Sequence, residues 1–174
     1  MSKATHNLTL LATLAAALLT CGTATAGTGP RCDTVHFVGA TQQFAPDTPF
    51  VGGLTMTNLQ TGESSDADVV TMLLGAVSSD GSRVITSHEI TTEGDSDADP
   101  GVSLVTFDDA QLIPQGDGVF TLISHMEVKS GKGAYSCGEL VISAPSTLAF
   151  DAQGLGSAEY SGFGRLCHCK PSDN

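Results

Sequence analysis

Apolar and polar residues alternate along most of the chain, in short runs separated by turn residues. Runs at Thr34–Gly39, Leu54–Leu59, Val69–Ser78, Arg83–Thr92, Val102–Phe107, Val119–Val128, Leu140–Ser143, Thr147–Asp151 and Ser157–Leu166 read as strands. A period of two places alternate side chains on one face of an extended segment. Between them lie Pro46-Asp47-Thr48-Pro49, Gln60-Thr61-Gly62, Ser79-Asp80-Gly81-Ser82, Pro114 to Gly118, Ser130 to Gly133 and Gln153-Gly154. Asp80-Gly81 is the strongest hairpin signal, because a tight turn needs the positive φ that these residues adopt readily. Gly52-Gly53 also reads as a turn. No window after residue 26 sustains the i, i+3, i+4, i+7 pattern of an amphipathic helix. The expected fold is all-β.

The faces of the strands refine that expectation. Phe120, Leu122, Met126 and Val128 share one face with Ser124, whereas Val119, Ile123, His125 and Glu127 share the other with Thr121. Val69, Leu73 and Val77 oppose Val70, Met72, Leu74 and Ala76 in the same way. Strands apolar on both faces suit a closed antiparallel eight-stranded, calycin-like barrel. Its lumen takes one face, and a partner subunit or a loop covers the other. The alternative is a two-layer β-sandwich with scattered outer hydrophobes.

Residues 1–26 differ from the rest. Lys3, the unbroken Leu/Ala/Thr run Leu8 to Leu19 and Ala24-Thr25-Ala26 form the three parts of a secretory signal peptide. A run of about a dozen residues is too short to span a bilayer, which takes about twenty. Residues 27–174 are read as a single β-barrel domain, secreted or periplasmic. Lys3 is the only charged residue in the leader, so the mature segment keeps 6 basic against 19 acidic groups, a net charge of −13. That acidity removes the electrostatic basis of nucleic-acid binding and favours solubility. Cys32, Cys137, Cys167 and Cys169 remain, and an even number in an exported chain reads as disulfides. A Cys167–Cys169 ring would be very small, so Cys32 and Cys137 are each expected to take one of the C-terminal pair.

The stretch Val105-Thr-Phe-Asp-Asp-Ala-Gln-Leu-Ile-Pro114 continues through Gly118-Val-Phe-Thr-Leu-Ile-Ser-His-Met-Glu-Val-Lys-Ser-Gly-Lys-Gly-Ala-Tyr135 and closes at Gly164-Arg-Leu-Cys167. With Thr86-Ser-His-Glu-Ile-Thr-Thr92 upstream and the Gly131-Lys132-Gly133-Ala134-Tyr135 turn, it resembles exported bacterial relatives of the allene oxide cyclase and dirigent-like β-barrels. The resemblance covers about residues 69–167 and departs after Tyr135, where the small-residue stretch is shortened and carries Cys137. It implies an eight-stranded barrel with an apolar lumen, and a homo-oligomer, with the trimer as its natural form. It carries no catalytic residue across.

Candidate chemistry is sparse. Asp95, Asp97 and Asp99 recur at every second residue like calcium ligands, but Pro100 and Thr106 stand where such a loop needs Gly and Glu. They read as a solvated connection, and no metal or cofactor is expected. His125 and Glu127 share a face, and His88 adjoins Glu89. A histidine and a carboxylate in an apolar lumen would be equipped for acid–base work. The functional expectation is an exported barrel that binds or templates a small apolar or aromatic ligand through Phe120, Leu122, Met126, Leu140, Ile142 and Phe150. The alternatives are an isomerase or cyclase using His125, Glu127, Tyr135 or Glu89, and an oligomeric surface protein with a solid core.

Overall fold

The computed structural model describes residues 31–93, 101–133 and 135–169. The signal segment and the Asp95–Asp99 run lie outside these residues. Eight strands follow one another: β1 (Cys32–Gln42), β2 (Phe50–Asn58), β3 (Ser64–Ala76), β4 (Arg83–Thr91), β5 (Ser103–Gly116), β6 (Val119–Lys132), β7 (Cys137–Phe150) and β8 (Gly156–Cys167). Each pairs antiparallel with the next, and β1 pairs with β8, so the sheet is a closed barrel. It is not a sandwich. Closure leaves no strand with an unpaired edge.

Eight strands stand where nine runs were read, because one strand contains a proline. Leu140–Ser143 and Thr147–Asp151 are the two halves of β7, joined through a bulge between Ser143 and Thr147 that holds Pro145. Proline brings no N–H to a ladder. Ser146 repairs the gap: its buried hydroxyl donates to the Ser143 carbonyl at 2.6 Å and accepts the Ser161 N–H at 2.9 Å. Gly52-Gly53 is likewise strand, not turn, with Gly52 paired to Thr41 and Val69. A Cβ on Gly52 would collide with the Ala40 carbonyl, so the glycine permits a close approach of β1 and β2.

The inward positions form the core. Toward one end, Val35, Met56, Ala67, Leu104, Val128, Leu140 and Leu166 are buried together. This closed end holds the 59–63 connection and residues 92–93, 101–102, 133 and 135–136. Two disulfides lock it: Cys32–Cys167 ties the first strand to the last, and Cys137–Cys169 ties β7 to the segment beyond β8. Tyr135 adds a hydrogen bond to Asp33 at 2.9 Å, and the Ser136 hydroxyl donates to the Cys169 carbonyl at 2.7 Å. On the outer wall Met72 and Leu74 of β3, Val141 of β7 and Phe163 of β8 are exposed. No helix among the described residues is long and apolar enough to cross a membrane.

Two predictions follow the covalent and polar repairs. With a sequence separation of 135, the Cys32–Cys167 bridge closes a loop worth about 5 kcal/mol in unfolded-state entropy. Protein beginning at Gly27 should therefore titrate with no thiol when denatured without reductant, and its melting temperature should fall sharply on reduction. Ser146→Ala should cost about 1–3 kcal/mol, because it strands the half-buried Ser161 N–H. Urea denaturation measures that loss.

Candidate functional site

The inward face is not filled along its whole length. Toward the mouth, where the 43–49, 77–82, 117–118 and 151–155 connections lie, the lumen opens into a cavity of about 440 Å³. Its inner reach is bounded by Phe37, Leu54, Val69, Ile90, Met126 and Tyr160, and its outer wall by Ala110, Leu112, Phe120, Leu122, Leu148 and Ala158. Small residues make the space. Inward Gly39 and Gly162 let the aromatic rings lie against the β1/β8 wall: a Cβ on Gly39 would stand 2.8 Å from Tyr160 Cε2, and one on Gly162 2.6 Å from Phe37 Cζ. Phe120 and Phe150 meet edge to face at 6.1 Å near the mouth, a favoured aromatic geometry.

Asp80 and Gly81 of the β3–β4 hairpin also border the cavity. Hydrogen bonds from Ser78 and Ser82 hold the Asp80 carboxyl down at about 2. The Ser82 N–H and hydroxyl reach Asp80 Oδ1 at 3.0 and 2.7 Å. This turn stays ionised and bonded until acidification passes that value.

One polar cluster interrupts the apolar wall. The inward positions of β3 to β6 place Thr71, Thr86, His88, Asp108 and Ser124 side by side. His88 Nδ1 lies 2.8 Å from Thr71 Oγ1, and His88 Nε2 lies 3.2 Å from Asp108 Oδ1. The Thr86 hydroxyl donates to Asp108 Oδ1 and the Ser124 hydroxyl to Asp108 Oδ2. The His88 and Asp108 side chains are only 11% and 2% exposed. A carboxylate so buried is tolerable because three donors, the Thr86 and Ser124 hydroxyls and His88 Nε2, converge on it.

The structure sorts the sequence-nominated residues clearly. Phe120, Leu122, Met126, Ile142 and Phe150 line the cavity, whereas Leu140 belongs to the packed closed end. His125 and Glu127 do not reach the lumen: odd positions of this part of β6 point outward. His125 pairs with Glu139 at 2.9 Å and Glu127 with Lys129, all on the exposed outer wall. Glu89 is also exposed, next to inward His88. Tyr135 serves the closed end through Asp33. The pairing of the cysteines joins Cys32 with Cys167 and Cys137 with Cys169.

Asp108 is the residue that sequence reading passed over. Its signal was present: the inward period of Leu104 and Thr106 continues through Asp108, Ala110 and Leu112. A wider hollow of about 1030 Å³ runs along β2 and β3, edged by Glu63, Asp66, Asp68 and Glu93. Among the described residues no histidine or cysteine lines it. The histidine–carboxylate pair lies in the barrel lumen. Among the described residues no group of three or more His, Cys, Asp or Glu is arranged to hold a metal ion.

Comparison with known proteins returned no matching family model, no matching curated protein and no matching solved structure.

The tyrosines set an alkaline limit. Burial, reinforced by the hydrogen bond to Asp33, pushes the Tyr135 hydroxyl up to about 12, and burial alone raises Tyr160. The folded state holds these protons more tightly than the unfolded chain, whose tyrosines titrate near 10. Their contribution is complete below pH 10 and is lost as pH rises toward 12. A spectrophotometric titration should show both tyrosines, the only two in the chain, ionising above the ordinary value and together with unfolding.

Proposed function

We propose that the protein is an exported barrel that binds a small apolar molecule in its lumen. The observation that carries this reading is the cavity of about 440 Å³, its wall mostly apolar, with the Thr71–His88–Asp108 cluster inside and Gln43 and Asp80 at the rim. Binding sites for small organic molecules are commonly clefts of about 300–1,000 Å³ with apolar walls and few polar groups. A barrel with a purely structural role would gain stability by packing this space. Two disulfides and a leader-like first segment support export. Membership of the allene oxide cyclase and dirigent-like families, and assembly into trimers, belong to the same proposal and rest on the sequence motifs.

A second reading, an isomerase or cyclase, is favoured by one feature. His88 and Asp108 form an acid–base pair in the lumen wall. In that reading they replace the outward-facing His125, Glu127 and Glu89 as the groups that would move protons.

The primary test uses N-phenyl-1-naphthylamine, an uncharged apolar dye whose fluorescence rises on leaving water. The chain contains no tryptophan to obscure it. The mature protein should bind it, and Ala158→Phe should weaken binding at least tenfold by filling the cavity. The far-ultraviolet circular dichroism of the variant should match the wild type. Absence of dye binding, or undiminished binding by a folded Ala158→Phe protein, would overturn the lumen as the site.

A further inference from the structure

The hydrogen-bond directions around His88 say more than that the lumen is hollow, and they deepen the binding reading on which this inference rests. Asp108, as a carboxylate, can only accept, and it faces His88 Nε2 at 3.2 Å. Nε2 therefore carries a proton. In the neutral imidazole Nδ1 is then a lone-pair acceptor, and the group it faces at 2.8 Å is the Thr71 hydroxyl. Thr71 must spend its single O–H on that nitrogen. Its oxygen keeps lone pairs, and Thr71 lines the cavity.

The rest of the cluster holds this arrangement in place. Asp108 takes the Thr86 and Ser124 hydroxyl protons, so its two oxygens are committed to protein donors. The Thr86 oxygen, 3.1 Å from His88 Nε2, has spent its proton on Asp108 and can only share the Nε2 proton as a second acceptor. Thr71, His88, Thr86, Asp108 and Ser124 sit on four consecutive strands of a closed sheet, where backbone pairing fixes their spacing. Asp80 at the mouth and Tyr160 are the other titratable groups bordering the cavity, and neither is bonded to the cluster.

We infer that the lumen selects an apolar molecule bearing a hydroxyl, which donates its proton to Thr71 Oγ1. An apolar body fills the space between Leu122, Ala110 and Ala158, and the hydroxyl completes the Thr71–His88–Asp108 chain. A ligand with only an acceptor, such as an ether, meets the lone pairs of Thr71 and gains nothing there. A hydrocarbon of the same shape leaves the lone pairs of the half-buried Thr71 oxygen without a donor.

Competition against bound N-phenyl-1-naphthylamine at pH 8, where an imidazole is ordinarily neutral, separates these ligands. The competitors are 1-adamantanol, 1-methyladamantane and 1-methoxyadamantane, which share one rigid hydrocarbon cage. The expected result is that 1-adamantanol competes about tenfold better than either of the others, the scale of one buried hydrogen bond. Thr71→Val should bring the three together while the dye still binds, and Thr71→Ser should restore the preference. If the methyl or methoxy compound competes as well as the alcohol in the wild type, the selection of a hydroxyl is wrong although the lumen is still a site. If Thr71→Ser or Thr71→Val keeps dye binding and Val leaves the preference intact, Thr71 is not the contact. If the dye itself does not bind, the lumen reading fails and this inference fails with it.

Discussion

Everything in this molecule depends on the pairing of β1 with β8. Their ladder runs from Cys32 opposite Cys167 to Gln42 opposite Ser157 without a register shift. It joins the two ends of the folded chain and turns a twisted sheet into a closed wall. Non-local pairing of this kind is entropically expensive to form. Here the Cys32–Cys167 bridge sits at the end of that same ladder. The seam that most needs support is therefore the one that carries the covalent bond, and the inward glycines of β1 and β8 let the aromatic rings lie against it.

Closure also explains why polar groups can sit inside. A free-standing sheet would let water reach both faces, and a histidine beside a carboxylate would be unexceptional. Within a barrel the same alternation brings Thr71, His88, Asp108 and Ser124 out of solvent together. Each then needs a partner, because an unmet buried polar group costs more than a satisfied one returns. The network is thus a consequence of register: a slip of one residue in β5 would turn Asp108 outward and Phe107 inward.

The fold was largely legible in the chain. Alternation in Val119–Val128 correctly separates Phe120, Leu122, Ser124, Met126 and Val128 from His125 and Glu127. What it does not reveal is which set is inside, since that is decided by the neighbouring strands. His125 with Glu127 was therefore a natural pair to consider on one strand, yet the lumen pair is His88 with Asp108, drawn from two. Asp108-Asp109 and Pro114 look like loop chemistry locally, but tertiary pairing carries β5 through to Gly116. Pro145 misled in the same way, because the compensating Ser146–Ser161 contact joins residues far apart in the chain. Residues whose role is set by a neighbour on the same strand were readable; those set by a neighbour across the sheet were not.

Both disulfides and the Tyr135–Asp33 bond lie at the closed end, while the cavity faces the opposite connections. The barrel is thereby a cup whose base is riveted and whose lip is held by turns alone. Sequence drift or deliberate redesign at 43–49, 77–82, 117–118 and 151–155 is free to reshape the opening without loosening the base. Such a division lets the rim vary while the base stays fixed.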